Sequence, residues 1–133
     1  MPIDYVIDHA RRRVMAAGRG VVSSDEVFRY QRDVWSRADV AGYDEMVDMS
    51  GAEGMAGDSR ESIRGLADLS ARMDTAAGES RFAIVAPQES LFGLGRMYET
   101  YRALDQRSTK RVGVFRDRDE ALRWLEGIEP EIG

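Results

Sequence analysis

Ile3, Tyr5 and Ile7 alternate with Asp4 and Asp8, the period of two shown by a strand with one face on a core and the other in water. A short connection, His9-Ala10-Arg11, separates this strand from Val14-Met15-Ala16-Ala17. The pair therefore reads as an antiparallel hairpin closing at Gly18 and Gly20. The period then changes to that of a helix. Ser23 and Glu26 have the spacing of a capping box, and Val27, Phe28, Val34, Trp35 and Ala38 follow at helical intervals, broken by Gln31, up to about Gly42. Glu45-Met46-Val47-Asp48-Met49 predicts the third strand. Gly51, Gly54 and Gly57 then lie between it and a helix start at Asp58 and Ser59, which predicts a tight glycine-rich turn where α/β proteins commonly build sites.

The second helix would bury Ile63, Leu66, Ala67, Leu69 and Met73 and stop at Gly78. Phe82-Ala83-Ile84-Val85-Ala86 is apolar enough to be covered on both faces, which predicts the centre of the sheet, and Pro87 ends it. A third helix over about 89–104 carries Leu94, Met97, Tyr98, Tyr101 and Leu104 as its buried stripe. Arg111 to Phe115 forms the fifth strand, and Asp117 caps a last helix with Ala121, Leu122, Trp124 and Leu125 inside. The order ββαβαβαβα predicts an α/β fold: a mostly parallel five-stranded sheet with an antiparallel first strand, flanked by helices.

No linker, repeat or low-complexity segment interrupts this pattern, so 1–133 is expected to be a single domain. No apolar run approaches the roughly 20 residues of a membrane span. The first residues lack a basic stretch followed by an apolar one, and with no cysteine for disulfides the expected location is the cytoplasm. A formal charge of −5 argues against a nucleic-acid partner, whose phosphates need a basic face. Arg11-Arg12-Arg13 falls in the hairpin connection and reads as a solvated turn.

Few residues suggest chemistry. Ser59, with Asp58 and Arg60 beside it, is a candidate phosphorylation or anion site, since a phosphate at a helix N-terminus meets free N–H groups and the positive end of the dipole. Capping alone also selects serine and aspartate there, and a cap is the simpler reading. Asp44, Glu45 and Asp48 include metal-ligand types, but on a strand Glu45 points away from the other two. Lys110 begins its strand rather than ending it, and Asp8 stands alone, so an aspartyl-phosphate site with magnesium lacks its parts. His9 is the only histidine, which leaves Ser-His-Asp and zinc chemistry without partners. Gly93-Leu94-Gly95 sits inside a helix and is no dinucleotide fingerprint; these glycines are expected to let the helix approach a neighbour closely. Phe92 and Arg96 face away from the predicted stripe. With Ser50, Gly51 and Met55 they form a candidate partner or ligand surface. No catalytic residue, cofactor site or metal site is expected.

Two stretches carry a resemblance: residues 85–99, Val-Ala-Pro-Gln-Glu-Ser-Leu-Phe-Gly-Leu-Gly-Arg-Met-Tyr-Glu, and residues 112–125, from Val-Gly-Val-Phe to Arg-Trp-Leu. With the element order, they make the chain similar to the STAS superfamily of anti-sigma factor antagonists, and within it to the SpoIIAA-like branch of small bacterial proteins. Asp48-Met49-Ser50-Gly51 resembles the Asp-Leu-Ser-Gly strand end of the regulatory branch. Of its Asp-Ser-(Ser/Thr)-Gly phosphoserine motif, Asp58 and Ser59 match while Arg60 and Glu61 differ. The resemblance implies a non-enzymatic regulatory or protein-interaction domain with a protein partner, and self-association as a homodimer through the Phe92 patch is expected. SpoIIAA-like proteins are also similar in fold to SEC14-type modules. That likeness implies the alternative, a small apolar-ligand or lipid-binding module, with its groove near Phe92 and the 51–59 turn or contact with a membrane surface.

Overall fold

The computed structural model describes residues 3–74 and 79–128. Strands β1 (Ile3–Asp8), β2 (Arg13–Ser23), β3 (Asp44–Ala56), β4 (Ser80–Val85) and β5 (Lys110–Phe115) form one sheet in the order β1-β2-β3-β4-β5. Only β1 runs antiparallel to its neighbour; the other pairs are parallel. Helices α1 (Ser24–Trp35), α2 (Arg60–Met73), α3 (Glu89–Leu104) and α4 (Arg118–Leu125) follow β2, β3, β4 and β5. Each crossover steps one strand in the same direction, and right-handed connections in a single direction stack their helices on one face. Accordingly α1, α2 and α3 pack on the face bearing Val14, Val47, Met49, Phe82 and Ile84, and among the described residues α4 is the helix that covers Met46, Ala83 and Val85 on the other.

The caps fall where the side chains predict. Ser23 accepts from the Glu26 N–H while Glu26 reaches back to the Ser23 N–H, and Asp117 accepts from the Glu120 N–H.

Several expectations are corrected. β3 does not stop at Met49. It runs on to Ala56, pairing with an equally extended β2 across two irregularities, so the expected glycine turn is mostly strand and only Gly57 (φ +74°) turns. The hairpin strand β2 likewise passes through Gly18 and Gly20 to Ser23. The first helix ends at Trp35, and a short 3-10 turn, Ala38–Val40, precedes Gly42. The central strand is β3 rather than β4, because β4 has only β5 beyond it. Leu104 is 76% exposed; the buried stripe of α3 is Leu91, Gly95, Tyr98 and Arg102, whose guanidinium donates to the Tyr98 hydroxyl and to Asp74. Gly78 lies outside the described residues.

Candidate functional site

Between the sheet and α1, α2 and α3 lies a cavity of about 100 Å³. Strand alternation aims Glu45, Val47 and Met49 of β3 and Phe82 and Ile84 of β4 into it. The helices contribute Val27, Tyr30 and Gln31 from α1, Ile63 and Leu66 from α2, and Leu91, Leu94, Gly95 and Tyr98 from α3. Gly95 lets α3 lie close against the sheet here: a Cβ would stand 2.9 Å from Val114 Cγ1 and 3.6 Å from Ile84 Cγ2.

The cavity has a polar end and an apolar end. Glu45 pairs in register with Phe82, so the Glu45 level of the strands is one end, and Met49 with Met55 and Leu91 forms the other. Glu45 is 2% exposed, yet both of its oxygens have donors. Oε1 is 2.9 Å from Lys110 Nζ, while Oε2 accepts from the Tyr30 hydroxyl at 2.7 Å and from Trp35 Nε1 at 3.0 Å. The Lys110 ammonium also sits 3.1 Å from the centroid of the Trp35 ring. Burial pulls the Lys110 pKa below its ordinary value and Glu45 opposes the shift; burial and the adjacent Glu45 carboxylate push the Tyr30 phenol well up, so it stays a donor. Gln31 is 7% exposed. Its Oε1 accepts from Ser70 Oγ at 3.0 Å, while among the described residues its Nε2 meets only Met73 Sδ, at 3.7 Å.

The residues singled out in the sequence are dispersed. Met55 lines the cavity. Phe92 is half-buried against the cluster of Val22, Met49, Ala52, Ala86 and Leu91, with the Arg116 guanidinium 4.0 Å from its ring centroid and Glu89 bonded to that arginine at 2.6 Å. Arg96 is exposed and pairs with Glu99 at 3.2 Å. Ser50 and Gly51 are exposed on the strand extension, where Gln88 Nε2 donates to the carbonyls of Ala52 at 2.7 Å and Ser50 at 3.4 Å. Asp58, Ser59 and Arg60 are exposed. Ser59 caps α2, accepting from the Ser62 N–H at 3.1 Å.

Asp44 accepts from the Arg81 N–H at 2.8 Å and Asp48 pairs with Arg118 at 3.2 Å, so this acidic set is engaged. Among the described residues no three His, Asp or Glu side chains are placed to hold a metal. His9 Nδ1 is 2.8 Å from the Tyr43 hydroxyl. No described helix is long and apolar enough to cross a membrane.

The polar end of the cavity was not found from the sequence. Three signals pointed to it: Glu45 opposing Asp44 and Asp48, Gln31 breaking an apolar helix face, and Lys110 being the chain's single lysine among eighteen arginines.

No protein-family model matches the chain, and no curated protein matches it. Among solved structures, the chain is similar to the crystal structure of an uncharacterized protein from the DUF3478 family, with a SpoIIAA-like fold, from Shewanella loihica PV-4. The identity is 15%, the match covers 92% of this chain and 93% of that one, and the TM-score is 0.59. That likeness is one of fold. The chain has a SpoIIAA-like fold.

Proposed function

We propose that this domain binds a small apolar ligand between its sheet and its three-helix layer, and that it holds the ligand without transforming it. The observation that carries this reading is the cavity. Protein interiors rarely leave spaces larger than a water molecule, and here about 100 Å³ of mainly apolar space lies between the sheet and the helices. Apolar cavities of this order stay dry and take up apolar molecules. Met49 and Met55, flexible and polarizable, let the apolar end adapt to a longer occupant.

The test is to fill the space from within. Leu66→Phe is expected to raise the melting temperature of the free protein and to abolish uptake of hexane, followed by native mass spectrometry and by thermal shift. A variant that still takes up hexane as wild type does would defeat the reading.

The regulatory reading attaches to exposed Ser59 at the start of α2. A phosphate there would add about −1.5 to −2 charges beside Asp58 and Glu61 and weaken an acidic partner's approach. Under it, Ser59→Asp loses a host-lysate partner that Ser59→Ala retains. If both variants recover the same proteins, Ser59 is a cap only.

A further inference from the structure

We infer that the outer edge of β5 pairs with the same edge of a second copy of this chain, joining two sheets into one across a two-fold axis at Gly113. This is independent of what the cavity holds. β5 pairs with β4 along its whole length without a bulge, and among the described residues no strand pairs with its other side. One bond shows which backbone groups that side bears. The Phe115 carbonyl accepts from the Ala86 N–H at 2.8 Å, so Phe115 turns its backbone groups inward, and by strand alternation Gly113 and Arg111 do the same. Lys110, Val112 and Val114 then turn theirs outward. Those of Lys110 are met within the chain, its N–H by Asp74 at 3.3 Å and its carbonyl by the Ser108 hydroxyl at 3.5 Å. The N–H and C=O of Val112 and Val114 have no partner among the described residues.

An open edge is a template for another strand, and this one is complementary to itself. Antiparallel about Gly113, Val112 lies opposite Val114 of the second copy, and each of these N–H and C=O groups gains a partner. On the helical face valine then meets valine. On the other face the exposed Arg111 lies opposite Phe115 of the second copy, a cation beside an aromatic ring. The opposite edge of the sheet, β1, carries Asp4 and Asp8 instead, and charges of one sign along an edge resist self-pairing.

Charge complementarity on α3 supports the same axis. Arg96 and Glu99 line a groove beside Arg111 and Val112, and both reach solvent, with 63% and 28% of their side chains exposed. Gly95 packs at the level of Val114, so Arg96 lies near Val114 and Glu99 one turn nearer Val112. A two-fold axis between Val112 and Val114 reverses that order in the second copy. Each Arg96 then stands at the level of the other copy's Glu99, opposite in sign.

Sedimentation velocity over the micromolar to millimolar range tests this. The wild type is expected to pass from monomer to dimer as concentration rises, and exchange of the Val112 and Val114 amides should slow in step. Val112→Pro removes an outward N–H without removing a bond to β4, and should leave a monomer. Arg96→Glu and Glu99→Arg change only surface charge, so they remain informative if Val112→Pro does not fold. Each alone should dimerise roughly tenfold more weakly than wild type, because like charges then face each other across the axis. An equal mixture of the two restores opposite signs and should recover dimer. A wild type that stays monomeric throughout overturns the inference. So does a dimer indifferent to both charge variants, a mixture that recovers nothing, or Val112 and Val114 amides whose exchange ignores concentration; a dimer with those properties is formed by another surface.

Discussion

Burying a carboxylate is costly unless its oxygens are hydrogen-bonded, and at Glu45 an ammonium, a phenol and an indole supply the donors. Removing one partner is therefore worse than removing the pair. Lys110→Met is expected to cost about 3–5 kcal/mol by denaturant titration, because it strands the Glu45 charge. In the double variant Glu45→Gln with Lys110→Met, the amide oxygen still accepts from Tyr30 and Trp35, and much of that loss should return. A double variant no more stable than Lys110→Met would mean that the charge pair is not what holds this wall. Strand alternation in the sequence sets Glu45 on the face opposite Asp44 and Asp48. Its partner lies 65 positions away, though, and no local pattern links the two. Only the loneliness of Lys110 among arginines marks it, and that suits a compact ammonium filling a slot over Trp35 where a planar guanidinium would not pack alike.

The glycines separate what element-level reasoning reads well from what it cannot. Gly93 and Gly95 both looked like points of close approach, but a Cβ at Gly93 meets nothing within 4 Å, while one at Gly95 meets Val114 at 2.9 Å. Helical spacing cannot tell them apart; the position of β5 does. Gly93→Ala should stabilise by roughly 0.5–1 kcal/mol through helix propensity and a less mobile unfolded chain. Gly95→Ala should lose about 1–3 kcal/mol through overpacking. Two changes of the same sign in chemical denaturation would remove this account of the α3 contact. The same ambiguity hides the end of β3. Glycine is disfavoured in strands, so Gly51 and Gly54 read as a turn. In the fold, Gly18 and Gly51 serve the close approach of the bulged β2 and β3: a Cβ at Gly18 would fall 2.6 Å from Met49 Sδ, and one at Gly51 3.2 Å from the Gly18 carbonyl. Caps and helix starts were legible because their hydrogen bonds close within three residues.

At the scale of the whole molecule, element order and right-handed crossovers sufficed for the topology, whereas the cavity depends on how far α1, α2 and α3 stand off the sheet, which no periodicity encodes. One arginine joins two parts of that helical layer. Arg107 Nη2 bonds Asp68 of α2 at 2.7 Å and Asp105, just after α3, at 2.7 Å. Hydrogen bonds from the Arg107 side chain and backbone hold the Asp105 carboxyl at about 2, against an ordinary 3.8, and the same guanidinium lowers Asp68. A carboxylate whose folded pKa is depressed contributes stability that is present above its unfolded value and lost as pH falls through the folded one. The contribution of this bridge is therefore expected to be intact above about pH 4 and to drain away toward pH 2. Because all three groups lie at the surface, Arg107→Gln should change the melting temperature only slightly at neutral pH. Its effect should appear in the acid limb, where the variant loses less stability than wild type between about pH 4 and about pH 2. Calorimetric melting curves of the two proteins across that range decide the matter: parallel profiles would mean that the guanidinium bridge does not fasten α2 to the end of α3, leaving apolar packing and the buried Arg102–Asp74 and Ser70–Gln31 contacts to hold the helical layer over the cavity.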